Sequence, residues 1–210
     1  METQLKDKVA IVTGAGQGIG KAIAIDLALN GANILVADID FSLAKDVASS
    51  INTEAIPLKI DIANLDDIEK MMDSCMDTFK KIDILVNNAG IAGPIGSLQD
   101  NDVTAWINTV QVNLIGVYLC CRAVVPVMRR SGSGRIVNLS GAGATNAWAN
   151  LSAYCSSKAA VVRLTEVLAM ELSDTGITVN ALGPGSVHTQ MWDEMTEAAA
   201  EAGADLIHET

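Results

Sequence analysis

The chain has 210 residues, half of them apolar and 19% charged, which suits one globular domain with a buried core and excludes a disordered or collagen-like chain. Fourteen Lys and Arg against 25 Asp and Glu leave a net charge of −11, and an acidic surface repels phosphate backbones and anionic lipid, so nucleic acid and membranes are not expected partners. The N-terminus carries charges of both signs, and the first apolar run, Val9 to Val12, leads straight into a Gly-rich turn, unlike a signal peptide. The most apolar long stretch, Leu114 to Met128, contains Arg122 and Pro126 and falls short of the ~20 residues that span a bilayer. Cys75, Cys120, Cys121 and Cys155 form no C-x-x-C pair, and His188 and His208 share no ligand spacing with them. Reduced thiols in a cytoplasmic protein without a metal site are expected.

Short runs rich in Val and Ile alternate with longer stretches at helical spacing, the pattern of βα units around a parallel sheet. In chain order, strands are predicted at Val9–Thr13, Asn33–Ala37, Ala55–Lys59, Ile84–Asn87, Arg135–Leu139 and Thr178–Leu182. Their apolar character is continuous rather than alternating, so both faces of the sheet lie under helices. Ile19, Ile23 and Leu27 recur at i, i+4 and i+8 and mark a helix that stops at Asn30-Gly31. Further helices are predicted at Leu43–Ser50, Asp66–Lys80, Val103–Met128 and Ala153–Ser173. The last carries Val161, Val162, Leu164, Val167, Leu168 and Met170 around most of its circumference, which fits either a subunit interface or a helix buried in its own domain. No linker or repeat interrupts the pattern, so residues 1–210 read as one α/β domain, a three-layer, doubly wound parallel sheet.

Thr13-Gly14-Ala15-Gly16-Gln17-Gly18-Ile19-Gly20 follows the first strand and opens the first helix. Glycines there allow a sharp turn and the close approach of a pyrophosphate to the N–H groups of the helix start, although a plain tight βα turn has similar composition. Asp38 stands eighteen residues past Gly20, at the end of the second strand, where a carboxylate accepts both ribose hydroxyls of an adenosine and repels a 2′-phosphate. The nearest cation in sequence is Lys45, so NAD is expected rather than NADP. Asp61 and Ile62, after the third strand, suit the adenine edge. Tyr154 and Lys158 lie one helical turn apart on one face, where the ammonium is expected to lower the pKa of a phenol that otherwise titrates near ~10.

Five motifs in order, T-G-x-x-x-G-x-G at Thr13–Gly20, Asn87-Asn88-Ala89-Gly90, Asn113, Tyr154-x-x-x-Lys158 and Gly183-Pro184-Gly185, resemble the short-chain dehydrogenase/reductase family over about residues 6 to 191. The resemblance implies a Rossmann-like fold, a nicotinamide cofactor, Tyr154 as acid/base, Lys158 on the nicotinamide ribose, and Asn113 supporting a water-linked proton relay. The expected cofactor contacts are then Gly14, Gln17, Gly18, Ile19, Gly20, Asp38, Ile39, Asp61, Ile62, Asn88, Ala89, Gly90, Tyr154, Lys158, Pro184, Gly185, Val187 and Thr189.

Two features depart from that family. Its members usually carry a Ser thirteen residues before the Tyr, where this chain has Gly141. Ser140 is expected to substitute if the strand ends or bulges there; otherwise a water, Thr145 or Asn146 would hold the substrate oxygen. The family also normally continues to another helix and a last parallel strand, so the sheet is expected to lack that strand and the chain to be truncated or incompletely represented. Thr189–Thr210 resembles the family's substrate lid, and Trp148, Asn150, Met191 and Trp192 are expected near the pocket, where each Trp also fits a packing role. The expected function is NAD(H)-dependent interconversion of a secondary alcohol and a ketone by a homodimer or homotetramer. A weakly catalytic or non-catalytic NAD-binding protein, or an epimerase or dehydratase that retains NAD, also fits these motifs.

Overall fold

The computed structural model describes residues 4–185 and 187–201. Six strands, β1 (Val9–Thr13), β2 (Asn33–Asp38), β3 (Ala55–Lys59), β4 (Ile84–Asn87), β5 (Gly134–Leu139) and β6 (Ile177–Leu182), form one parallel sheet in the order β3-β2-β1-β4-β5-β6. Successive side chains on a strand face opposite ways. Val9 and Ile11 therefore join an apolar cluster with Met71 and Cys75 of α3 (Leu65–Phe79), Val124 and Met128 of α5 (Val117–Ser131) and Val161 of α6 (Ser152–Glu171). Ala10 and Val12 face the other layer, packing with Ala24 and Ala28 of α1 (Gly18–Leu29) and Ala44 and Val47 of α2 (Phe41–Ser50). The strand order reverses between β1 and β4, and the crevice at their C-terminal ends is where such a sheet binds ligands.

The helix predicted at Val103–Met128 is interrupted. It comprises α4 (Val103–Val110), a π-helical segment Gln111–Gly116, and α5, which contains Pro126. A π segment widens the turn by one residue and re-aims the side chains within it; here it turns Asn113 into the crevice. Gly116 permits the fit, because a Cβ there would lie 2.7 Å from Ile62 Cδ1. The whole run Val103–Ser131 is long and apolar enough to cross a membrane, which the shorter stretch Leu114–Met128 is not, but its Val117, Cys120, Cys121, Val124 and Met128 side is buried in the core.

Other boundaries move by one or two residues, set by caps that periodicity does not reveal. Asp40, for example, accepts hydrogen bonds from Ser42 and Leu43 N–H and starts α2 early. On α6, Val161 is buried, but Val167 and Met170 are 44% and 78% exposed, so this helix is not wholly enclosed by its own domain. Among the described residues the sheet ends at β6, which leaves Thr178 and Asn180 exposed, and a further helix, α7 (Gln190–Glu201), closes over the C-terminal ends of the strands. Residues 202–210 of the expected lid lie outside the described residues.

Candidate active site

The glycine loop is fixed from beneath by the segment after β4. Asn88 Nδ2 donates to the carbonyls of Thr13 (3.1 Å) and Gly14 (2.9 Å), and Thr13 Oγ1 accepts from the N–H of Asn88 (3.1 Å) and Ala89 (3.2 Å). No side chain fits at Gly20, where a Cβ would stand 2.1 Å from the Gly14 carbonyl oxygen. The helix that follows is left open to an anion. Asp40, Asn64 and Asp102 cap α2, α3 and α4, whereas Gln17 at the start of α1 makes no side-chain cap and no acidic residue occupies its first turn. Its first N–H groups and the positive end of the helix dipole are therefore free for a pyrophosphate.

Asp38 is nearly buried at the end of β2, accepting from Gly16 N–H (2.8 Å) on one oxygen and from Asp40 N–H (3.0 Å) on the other. Each carboxylate oxygen keeps capacity for a ribose hydroxyl. A Cβ at Gly16 would lie 2.6 Å from Leu43 Cβ and 2.9 Å from the Asp38 oxygen, so the loop and the carboxylate close on each other there. Gly18, Ile19, Val187 and Thr189 border a cavity of about 550 Å³, and Thr189 Cγ2 lies 3.5 Å from where a Gly18 Cβ would be. The remaining expected contacts are less direct. Ile39 is 65% exposed, Asp61 Oδ1 accepts from Ala63 N–H in its own turn, and Ile62 is buried against Gly116. Pro184 is half-buried and Gly185 exposed.

The acid/base groups meet at the ends of β4 and β5. A point beside Gly90 is 3.1 Å from Asn113 Oδ1 and 3.2 Å from Lys158 Nζ. Asn113 is held by three bonds: Oδ1 accepts from Ile91 N–H (2.8 Å), while Nδ2 donates to the Ile91 carbonyl (2.9 Å) and to Ser157 Oγ (3.1 Å). Lys158 Nζ donates to the Leu139 carbonyl at 2.9 Å and lies 5.9 Å from the Tyr154 ring centroid. The expected lowering of the phenol pKa is corrected here. Burial, with a smaller contribution from the Cys155 thiol, pushes Tyr154 up to about 12, and burial pushes Lys158 down to about 8. One donor of the ammonium goes to the Leu139 carbonyl, and Trp148 and α7 remove water from the phenol.

Ser140 makes no hydrogen bond to the phenol among the described residues. Its N–H donates to the Leu182 carbonyl (2.9 Å), continuing the strand pairing, and its Oγ lies beside Gly183, 3.6 Å from where a Cβ would be built. Position 141 faces the phenol instead: a Cβ on Gly141 would be 2.5 Å from Tyr154 Oη, and Gly141 has φ +69° and ψ 167°. Thr145 Oγ1 donates to the Ala142 carbonyl at 3.2 Å, within its own turn. The apolar wall consists of Trp148, Leu151, Met195 and Ala199 packed with Tyr154, and Met191 and Trp192 lie against them.

A sequence family described as short chain dehydrogenase matches residues 8–200. The chain belongs to the short-chain dehydrogenase/reductase family. It is 40% identical over 201 residues to the (2S)-[(R)-hydroxy(phenyl)methyl]succinyl-CoA dehydrogenase subunit BbsD of Thauera aromatica, a match covering 92% of this chain and 78% of that one. It is 37% identical over 203 residues to the NAD-dependent glycerol dehydrogenase of Listeria innocua, covering 96% and 78%. The crystal structure of an NAD+-bound xylitol dehydrogenase superimposes with a TM-score of 0.93 at 32% identity, covering 96% and 79%.

As a short-chain dehydrogenase/reductase, the chain is an oxidoreductase of CH–OH groups. A nicotinamide dinucleotide suits the residues present, since the uncapped start of α1 offers donors for its pyrophosphate and the buried Asp38 carboxylate an acceptor for its adenosine ribose. Sequence reasoning missed two supports of this short-chain dehydrogenase site. Thr13 Oγ1 ties the segment after β4 to β1, and Ser157 Oγ links the Tyr154 carbonyl (2.8 Å) to Asn113. Ser157 lies three residues after Tyr154 on α6, so helical spacing was the available signal.

Proposed function

We propose that the chain transfers hydride between NAD(H) and a secondary alcohol or ketone, with Tyr154 exchanging the proton of the substrate oxygen. The observation that carries this reading is the convergence of Tyr154, Lys158, Asn113 and Gly90 at the ends of β4 and β5, one residue from the Ala89 that packs on Gly14. When bound, the nicotinamide supplies or accepts the hydride. Tyr154, with its pKa pushed up to about 12, is protonated at neutral pH and is a donor to a ketone oxygen. Lys158, cationic below about pH 8, stabilises the phenolate that forms when that proton leaves. Among the described residues Asn113 Oδ1 accepts only from Ile91 N–H, and it keeps one acceptor site for a water-linked relay. Ser140 faces Gly183, so Tyr154 is the principal donor to the substrate oxygen and Ser140 at most an auxiliary one.

The Asp38 carboxylate supports NAD over NADP, because a 2′-phosphate there would meet a buried negative charge. The Listeria relative is an NAD-dependent enzyme, and the xylitol dehydrogenase structure holds NAD+. Tyr118, Val167 and Met170, exposed on α5 and α6, support a homodimer or homotetramer, and the free thiols of Cys75, Cys120, Cys121 and Cys155 support a cytoplasmic enzyme. The test is a panel of secondary alcohols with NAD and with NADP, followed by NADH or NADPH absorbance. Turnover with NAD is expected; a protein that binds NADH yet oxidises none of them, or that prefers NADP, contradicts the reading.

A further inference from the structure

Trp148, in the loop between β5 and α6, is 7% exposed, and its indole Nε1–H is buried with no hydrogen-bond partner among the described residues. Folded proteins rarely leave a buried donor unpaired, and where they do a ligand or water is the usual explanation. The rest of the residue is well held. Its ring is parallel to that of Tyr154, with centroids 6.4 Å apart and 2° between planes, and Trp192 of α7 meets it edge-on at 6.4 Å. The loop is pinned where Gly96 N–H donates to the Asn150 carbonyl (2.9 Å), and Asn150 itself has φ +66°. A phenylalanine would satisfy the stacking, so packing alone does not account for the indole nitrogen.

Resting on the hydride-transfer reading above, we infer that Trp148 Nε1 is a specificity donor for a second oxygen of the substrate, which is a mainly apolar secondary alcohol bearing one further neutral acceptor such as an oxo group. The surroundings fix the class. Leu151, Met195 and Ala199 are apolar and buried, so the several hydroxyls of a polyol would be stripped of water against them without partners. A carboxylate in the same place would bury a charge that a single indole N–H does not compensate. One acceptor, aimed at one donor, leaves nothing unpaired.

The test compares oxidation of 4-hydroxycyclohexanone and cyclohexanol with NAD by the wild type and Trp148→Phe, which keeps a stacked ring and removes the N–H. The wild type is expected to favour the oxo-bearing alcohol in kcat/KM, and that preference should fall about tenfold in Trp148→Phe, the loss of one hydrogen bond. An unchanged preference overturns the assignment of the indole. Oxidation of polyols but of neither ring alcohol overturns the substrate class, and oxidation of no alcohol at all overturns the hydride-transfer reading instead. Should Trp148→Phe not fold, the indole 15N–1H resonance of Trp148 in the wild type reads the same contact. It should shift downfield with 4-hydroxycyclohexanone and not with cyclohexanol; identical responses to both overturn the assignment.

Discussion

Placing the family's serine back into this chain, Gly141→Ser, should damage the enzyme. Gly141 has φ +69° and ψ 167°, a conformation essentially reserved for glycine, and a side chain forced into it costs roughly 1–3 kcal/mol. The new Cβ would also stand 2.5 Å from Tyr154 Oη. That phenol is backed by Trp148 and Leu151, so relief requires repacking at about 1–3 kcal/mol. Together these give a loss of roughly 2–6 kcal/mol, and in a domain of this size a melting temperature lower by roughly 5–20 °C. Circular dichroism melts of the wild type, Gly141→Ser and Gly141→Ala, alongside kcat/KM, separate the contributions: both variants should fall together, because the Cβ and not the hydroxyl is at fault. A Gly141→Ser enzyme with wild-type stability and faster turnover would refute the reasoning.

Lys158 lies in the folded protein at about 8 against 10.5 for the free side chain. The unfolded chain therefore holds the extra proton between those values, and stability should rise with pH from about 8 to 10.5, by roughly 3 kcal/mol in all. By the same reasoning Lys158→Met, which also gives up the bond to the Leu139 carbonyl, should be more stable at pH 7 by about 2 kcal/mol while losing turnover; chemical denaturation and NADH formation read the two effects. Asp38→Asn removes the charge and leaves one acceptor oxygen for the two N–H groups of Gly16 and Asp40, and should narrow the preference for NAD over NADP by about tenfold in kcat/KM. Asn88→Ala removes both rivets of the glycine loop and should weaken NADH binding while lowering stability by about 1–3 kcal/mol, measured by fluorescence titration and thermal melts.

The six strands were legible because continuous apolar runs bounded by turn residues leave little else for Val9–Thr13 or Ile84–Asn87 to be. The glycine loop and the Tyr154 to Lys158 spacing were legible because their chemistry is local. What escaped depends on contacts distant in the chain. Apolar spacing runs unbroken through Gln111–Gly116, so nothing local marks the π segment; the notch at Gly116 that receives Ile62 is a tertiary fact. The direction of the Tyr154 shift follows from burial behind the walls brought by Trp148 and α7, which the i, i+4 spacing does not contain. Ser140 was read as a neighbour able to stand in for its missing partner, but strand pairing to Leu182 carries it toward Gly183.

The most direct measurement is single-turnover hydride transfer in Tyr154→Phe, with NADH affinity determined by fluorescence on the same sample. The aromatic ring and its stack on Trp148 persist in that variant, and only the hydroxyl with its exchangeable proton is lost. NADH should bind within a few-fold of the wild type while the transfer rate falls at least a thousandfold, of the order that general acid/base groups contribute. A Tyr154→Phe enzyme that still oxidises its alcohol at a comparable rate would contradict the assignment of Tyr154 and with it the proposed chemistry.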